Sequence, residues 1–382
     1  MTDDRQQRVR AAYASSLGRP RGEVITPALI LDLDAARQNL ARMTDRMRSM
    51  PARLRPHIKG QKCVELARMQ IEAGAIGVCT ATVWEAIVMS RAGIADVLIA
   101  NQVGGREKIQ ALARAAKHGR MTVAVDDPRN CDQLDQAART VGSTIEVIIE
   151  VDVGMGRGGV RSVDDAVTLA KHLAKLKNLR FRGLQGYEGH CMMEPNRELR
   201  ITKARKAMND VGAVIDRLAK AGFTCEIVSG GGTGTYDITG ADSRATEIQA
   251  GSYLLMDMFH GNLVSGFSHA LTVLTTVIIQ HRNTIVLDCG SKSICVDDAG
   301  TPMKPYPFYK ARDFHEEHAM FDVDDRCKLK LGDTVELIPG YAPSTVNMYD
   351  VYHVVENDVV TDIWPVIPRG PGHGGLIAGD AS

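Results

Sequence analysis

No two cysteines in this chain are spaced as a CxxC pair, and the eight that occur, Cys63, Cys79, Cys131, Cys191, Cys225, Cys289, Cys295 and Cys327, are scattered. A disulfide framework or thiolate zinc site is therefore set aside in favour of buried free thiols, several of them inside apolar runs such as IGVCT. An excess of charge of one sign is missing too. Lys plus Arg and Asp plus Glu each number 46, so neither nucleic acid nor an anionic membrane is an expected partner. Small neutral or zwitterionic molecules fit better. No run approaches the roughly 18 apolar residues of a membrane span. The N-terminal MTDDRQQRVRAAYASS lacks an apolar core of signal-peptide length, so the expected compartment is the cytoplasm. What remains is ordinary for a soluble globular protein: 44% hydrophobic and 24% charged residues in a chain of 382, long enough for one large domain and one smaller one.

From residue 54 onward, short runs rich in Val, Ile and Leu alternate with helical or turn-rich stretches: LRPHIK, IGVCT, DVLIAN, MTVAVD, IEVIIEVD, FRGLQGY, EIVSG and TEIQAG. Continuous apolar strands alternating with helices imply a parallel sheet, and eight such units fit a TIM-like (β/α)8 barrel, with an open doubly wound sheet as the competitor. Between two of the strands Ala204, Met208, Val211, Ile215 and Leu218 keep helical spacing, and Gly222 stands just past them as a C-cap candidate. Near residue 264 the pattern changes. ALTVLTTVIIQ, NTIVLDCG, DTVELIP, VYHVVEND and VVTDIWPV look like short strands joined by turns, an all-β domain. The expected division is 1–27 as a segment contributing to the β domain, 28–262 as the α/β barrel and 263–382 as a mainly β C-terminal domain. The early ALILDLD strand, followed by a helix carrying Ala36, Leu40, Met43 and Met47, precedes the count of eight and is a candidate to join the β domain. The Gly-Pro-rich PRGPGHGG near the C-terminus reads as a mobile tail.

In LRPHIKG, Lys59 ends an apolar strand, which in a barrel places its amine at the carboxyl face where active sites are built. A buried or cation-flanked lysine gives up part of its proton affinity and becomes a nucleophile able to form a Schiff base. Alone, such a lysine more often caps a strand at the surface. Further features raise its weight. VSGGGTGTYD at 228–237 follows a strand, and its glycine and hydroxyl residues let main-chain N–H groups turn inward around an anion, although a tight turn needs the same residues. It is neither a Walker loop nor a dinucleotide fingerprint. Gly251, Ser252 and Tyr253 in QAGSYLLMD could complete a phosphate cup. Arg157, on the glycine-rich loop of EVDVGMGRGGV, would offer a fork of donors to a phenolate or carboxylate, unless it is a surface arginine on a turn.

RPHIKGQK, VDVGMGRGGV, GLQGYEG, VSGGGTGTYD, EIQAGSY and GYAPSTVNMYD occur in this order over about residues 26–365. In this the chain resembles the fold-type III pyridoxal-phosphate enzymes, specifically the D-threonine aldolase and D-serine dehydratase group related to alanine racemase. The resemblance implies an alanine-racemase-like barrel plus β domain, with Lys59 binding pyridoxal 5′-phosphate. It implies Arg157 beside the cofactor's O3′ and Tyr187 as the aromatic residue near the bound cofactor. Ser229, Gly231, Gly232, Thr233 and Gly234, with Gly251, Ser252 and Tyr253, would form its phosphate cup. It also implies a homodimer in which one subunit's β domain covers the other's barrel mouth.

The sequence departs from that pattern where the group carries a His-x-Asp or His-x-Cys metal pair, in a segment resembling PxHxDPTVNLYD. Here Tyr341 and Pro343 stand at the two positions, poor or incapable ligands for a divalent cation. No metal site is expected, and the spacing of His260, Asp350 and His353 favours no other. Gln61 replaces a histidine after the lysine, and Met193 stands where another is usual. His190, three residues earlier, is either a relocated acid/base group or a hydrogen-bonded structural histidine. The resemblance puts first an aldolase-like lyase cleaving a D-β-hydroxy amino acid such as D-threonine or 3-hydroxy-D-aspartate without the metal. The alternatives are an amino-acid racemase using Lys59 with Tyr341 or His190, a D-amino-acid dehydratase, and, less favoured because of the β domain, a non-catalytic cofactor carrier.

Overall fold

In the computed structural model, which describes residues 4–372, the first strand, β1 (Ala28–Asp32), precedes eight that match the eight apolar runs. These are β2 (Arg53–Leu54), β3 (Val78–Thr80), β4 (Asp96–Ile99), β5 (Arg120–Val125), β6 (Ile145–Glu150), β7 (Leu179–Gly186), β8 (Ile227–Gly230) and β9 (Glu247–Ile248). They form one parallel sheet in the order β2-β9-β8-β7-β6-β5-β4-β3. Its two end strands also meet: Ile76 N–H donates to the Leu54 carbonyl at 3.0 Å and Cys79 N–H to that of Pro56 at 2.8 Å, and His57 bridges to Cys79. The ring of eight parallel strands is thereby joined end to end, as a barrel requires.

Burial on both faces explains why these strands read as unbroken apolar runs. All six residues of β6 are buried, and Cys79, Leu98, Ala100, Ala124, Ile148 and Ile227 pack as one cluster. The helices between them are punctuated by side chains the sequence supplies locally. Asp127 caps Pro128–Val141, which Gly142 ends in the left-handed region at φ +70°, and Thr82, Ser162 and Asn196 cap three others. In the helix Arg197–Lys220, Ala204, Met208, Val211 and Leu218 are buried and Ile215 is half-buried. Gly222 follows its C-cap residue Ala221, at φ +87°. At Gly183, opposite the register shift between β6 and β7, a Cβ would lie 1.9 Å from the Ile227 carbonyl oxygen, and φ is +147°. Only glycine fits there.

The remaining strands are β10 (Leu271–His281), β11 (Thr284–Leu287), β12 (Ala311–Phe314), β13 (Ala319–Asp322), β14 (Thr334–Leu337), β15 (Val351–Glu356) and β16 (Val359–Pro365). With β1 they make a second, mostly antiparallel sheet in the order β12-β13-β11-β10-β1-β15-β16, with β14 paired to β10. Its core gathers Val24, Ala28, Ile30, Leu274, Val351, Val355, Val360 and Ile363.

The chain divides into two compact units. The barrel unit is built chiefly from Met43–Lys59 and Leu66–Gly251, and the second unit from the residues up to Arg42, Gly60–Glu65 and Ser252–Gly370. The early ALILDLD strand joins the second sheet, as it was a candidate to do, and so does not begin the barrel segment at residue 28: β1 pairs antiparallel with β10 and parallel with β15. Strands β12 and β13, absent from the sequence-based expectation, are short and half-exposed and so carry no apolar run. Five cysteines are buried, Cys225, Cys295 and Cys327 are half-buried, and all eight are free thiols. Of the PRGPGHGG tail, the residues from 373 on lie outside the described residues.

Candidate active site

Lys59 lies in the turn Ile58–Gly60 that follows β2, at the carboxyl end of that barrel strand. Its ammonium nitrogen sits 5.8 Å from the centre of the Tyr187 ring, and the Arg157 guanidinium lies 5.9 Å from the same ring. Burial and the Arg157 charge both pull the Lys59 pKa below the ordinary lysine value, with a smaller opposing effect from Glu85 and Cys79. The amine is thus neutral more often than an exposed one and better able to attack a carbonyl. His57 accepts a long hydrogen bond from Lys59 N–H at Nδ1, 3.4 Å. Its own burial, with Lys59 and Arg157 close by, holds the imidazole well below its usual range. Gly251, at the end of β9, closes this corner, since a Cβ there would lie 2.1 Å from the His57 carbonyl oxygen.

Arg157 reaches Glu150 at 3.7 Å. Burial raises the Glu150 pKa, while Gln102 at 2.5 Å, Arg157 and Gln185 hold it down. From Gln185 the network continues across the barrel interior: Gln249 Nε2 donates to both Gln185 Oε1 and Ser229 Oγ at 2.9 Å, and Gln185 Nε2 donates to the Ala100 carbonyl at 3.0 Å. Ser229, expected to touch the cofactor, is thus tied to its neighbours on adjacent strands.

The glycine-rich loop after β8 is buried from Gly231 to Tyr236. Gly231 needs its left-handed φ of +72°, and a Cβ on it would meet Ile248 at 3.0 Å. A Cβ on Gly232 would be 3.7 Å from both Tyr187 and Met192, so the loop, Tyr187, Lys59 and Arg157 are neighbours. One residue absent from the sequence-based expectation organises the loop. Glu188, 1% exposed, accepts from Gly231 N–H at 3.0 Å, Thr235 Oγ1 at 2.8 Å and Thr239 Oγ1. Gly232 N–H in turn donates to Thr235 Oγ1 at 3.1 Å. The expectation that these two glycine amides face an anion is therefore corrected: both already have acceptors, and Gly231 and Gly232 contribute shape.

His190 packs on the Asp152–Arg157 loop, where a Cβ on Gly154 would lie 3.0 Å from its Cε1. Its Nε2 is 3.7 Å from the Cys191 thiol, and its Nδ1 is buried without a hydrogen-bond partner. Met193 is 75% exposed. Ser252, Tyr253 and Tyr341 belong to the second unit. Tyr253 is fully buried with its ring 5.8 Å from that of Phe267, and Ser252 is half-buried. Tyr341 lies near-parallel to His260, ring centres 6.1 Å apart, and edge-on to Phe259 at 6.0 Å. Burial, then the charge of Asp257, raises its pKa, so the phenol keeps its proton. His260 is oriented by Asp257, which has no exposed surface and accepts from His260 N–H and Nδ1 and from Ala342 N–H, all at 2.8 Å. This dyad is a second feature that sequence reasoning did not single out, although the Asp-x-x-His spacing across a helix N-cap was visible.

The donor set does not fit a divalent cation. Tyr341 holds its proton and Pro343 has no donor. Asp350 is paired with Arg369 at 2.8 Å and bonded by Tyr13 Oη at 3.2 Å. His353 is 4% exposed, edge-on to Tyr13, and His260 is bound to Asp257. Among the described residues no three His, Cys, Asp or Glu side chains converge.

A closed parallel barrel with a half-buried lysine at its carboxyl face, together with a mostly antiparallel second domain, is the architecture of the alanine-racemase-like class of folds. The chain belongs to that family: residues 31–258 match the alanine racemase N-terminal domain, and residues 270–355 match a serine dehydratase domain. The 3-hydroxy-D-aspartate aldolase of Paracoccus denitrificans is 36% identical over 93% of this chain and 95% of its own length. The D-threonine aldolase of an Arthrobacter species is 35% identical over 92% and 95%. The crystal structure of the D-threonine aldolase from Filomicrobium marinum superposes with a TM-score of 0.88 at 36% identity, covering 92% of this chain and 97% of that one.

Proposed function

We propose that this chain is a pyridoxal 5′-phosphate-dependent lyase that splits the Cα–Cβ bond of D-β-hydroxy amino acids of the D-threonine and 3-hydroxy-D-aspartate kind. The observation that carries this is Lys59, an amine of lowered proton affinity set beside Tyr187 and Arg157 at the barrel's carboxyl face. Kinship with aldolases over more than nine-tenths of the chain supports the reaction.

Pyridoxal phosphate, when bound, supplies an electron sink for the charge left at Cα. The residues present fit that group. Lys59 would hold it through the side-chain nitrogen, Arg157 would donate to the ring oxygen O3′, and Tyr187 would pack against the ring. Gly231 and Gly232 would shape the phosphate cup, with Ser229, Thr233, Gly234, Gly251, Ser252 and Tyr253 as the further residues assigned to it. Taking the proton from the substrate's β-hydroxyl falls to His190, whose Nδ1 has no hydrogen-bond partner, or to Tyr341, whose phenol must first give up the proton that burial and Asp257 hold on it. His260, oriented by Asp257 beside Tyr341, keeps that corner polar. The cleavage so assigned uses no divalent cation. No described helix is long and apolar enough to cross a membrane. The reading includes a cytoplasmic homodimer, checked by light scattering after gel filtration.

The test is to incubate the purified protein with D-threonine and with 3-hydroxy-D-aspartate, measuring glycine and aldehyde release alongside α-proton exchange in deuterium oxide. Glycine with aldehyde is the expected outcome. Exchange with inversion but no C–C cleavage would transfer the assignment to a racemase, for which Lys59 and Tyr341 would be the two proton carriers. Keto acid with ammonia would mark a dehydratase.

A further inference from the structure

Glu188 is an oddity of the barrel unit. A carboxylate 1% exposed has no cation within ion-pairing distance among the described residues, and it lies under a loop read as an anion site. Burying a polar group in this way is tolerated only when hydrogen bonds satisfy it. Here three donors do so: Gly231 N–H, Thr235 Oγ1 and Thr239 Oγ1.

Backbone N–H groups can only donate, so Gly231 N–H gives its proton to Glu188 Oε2 and Gly232 N–H gives its proton to the Thr235 hydroxyl oxygen at 3.1 Å. The hydroxyl proton of Thr235 is directed at Glu188 Oε1, 2.8 Å away. The chain Gly232 N–H to Thr235 O–H to Glu188, together with Gly231 N–H to Glu188, pins two consecutive glycines whose backbones are otherwise the freest in the loop. Thr239, on the short helix Tyr236–Thr239, anchors the loop's far end to the same carboxylate. A Cβ on Gly230 would lie 3.5 Å from Glu188 Oε2 and 2.7 Å from the Gly186 carbonyl oxygen, so the loop's near end is fixed against β7 beside the same group.

We infer that Glu188 is a positioning residue: its carboxylate sets the glycine-rich loop in the one conformation that receives the phosphate ester of the cofactor. The inference rests on the pyridoxal-phosphate reading above. It goes beyond it by assigning the phosphate selectivity to a side chain that does not touch the phosphate. A purely structural role would weaken the barrel as a whole and leave selectivity for the phosphate unchanged.

Glu188→Gln separates these. Glutamine keeps the size and still accepts from the threonine hydroxyls through one oxygen, but turns an NH2 group toward Gly231 N–H, donor against donor. The dissociation constants of cofactor-free protein are measured by fluorescence titration with pyridoxal 5′-phosphate and, separately, with pyridoxal, which lacks the phosphate. In E188Q the constant for the phosphate ester rises about tenfold or more, and that for pyridoxal stays within about twofold of wild type. Equal weakening of both ligands, or no change in either, overturns the inference. If E188Q fails to fold by circular dichroism, Thr239→Val removes only one of the three bonds and must still show a selective loss, of about threefold; unchanged selectivity overturns it. A wild-type protein that holds pyridoxal as tightly as the phosphate ester removes the underlying reading and this inference with it, whereas a selective wild type with an unaffected E188Q removes this inference alone.

Discussion

The two units build polar sites by opposite means. In the barrel unit, the candidate groups hang from the carboxyl ends of parallel strands: Lys59 after β2, Arg157 after β6, Tyr187 after β7 and the glycine-rich loop after β8. Their relative placement follows from the sheet, because a ring of parallel strands brings all such ends to one face. In the second unit the polar group is assembled from turns far apart in sequence. Asp257 holds His260 three residues on and Ala342 eighty-five residues on, beside Tyr341. A strand-end site is a property of the fold, and a turn-built site is a property of particular side chains.

That contrast can be broken from either side. Lys59→Ala strikes the barrel site at its reactive atom. It should abolish the visible absorption of protein-bound cofactor and lower kcat by a factor on the order of 10⁴, as removal of a covalent catalytic group does elsewhere. Retained absorbance after dialysis would mean that the cofactor is held through another lysine. Tyr341→Phe removes only an oxygen from the second unit. A drop in kcat of about 10² with cofactor affinity unchanged is expected of a lost proton carrier, while unaltered kcat would shift that role to His190.

Asp257→Asn tests whether the turn-built group is held as tightly as its geometry suggests. The buried carboxylate satisfies three N–H groups, and losing its charge should reduce stability by about 2 kcal/mol in a urea titration. An unchanged midpoint would show the dyad to be dispensable to the fold. The smallest expected effect is Arg157→Gln. Because Arg157 helps to depress the Lys59 pKa, its loss should move the pH midpoint of Lys59 modification by an amine reagent upward. A downward shift would contradict the placement. The linkage has a definite sign. Folding disfavours the charged amine, so Lys59 weakens the fold below its folded pKa, and this penalty fades as pH rises toward the ordinary lysine value.

Legibility in the sequence follows the same division. The barrel strands were visible as apolar runs because most of their residues are buried, in β6 all six, and β12 and β13 were not because theirs are half-exposed. Lys59, Arg157 and Tyr187 were visible through their motifs and come together around one ring. Glu188 was not, because in GYEGH it reads as an ordinary loop acid. Its hydroxyl partners Thr235 and Thr239 lie 47 and 51 residues away, a pairing that only the β7–β8 contact creates. Gly231 and Gly232 were recognised as anion-loop glycines, yet their amides turned out to be committed, since a motif gives residue types and not the direction of an N–H. β1 stood outside the count of eight and so was a candidate for the second sheet, but its partners β10 and β15 lie more than two hundred residues downstream, where no local pattern identifies them.

The measurement that bears most directly on the proposed metal-independent cleavage is the rate at which holoenzyme dialysed against EDTA cleaves D-threonine. Glycine and acetaldehyde should form at an undiminished rate, with no gain on adding Mn²⁺ or Mg²⁺. A rate abolished by EDTA and restored by either cation would contradict metal-independent cleavage and return the β-hydroxyl to a metal.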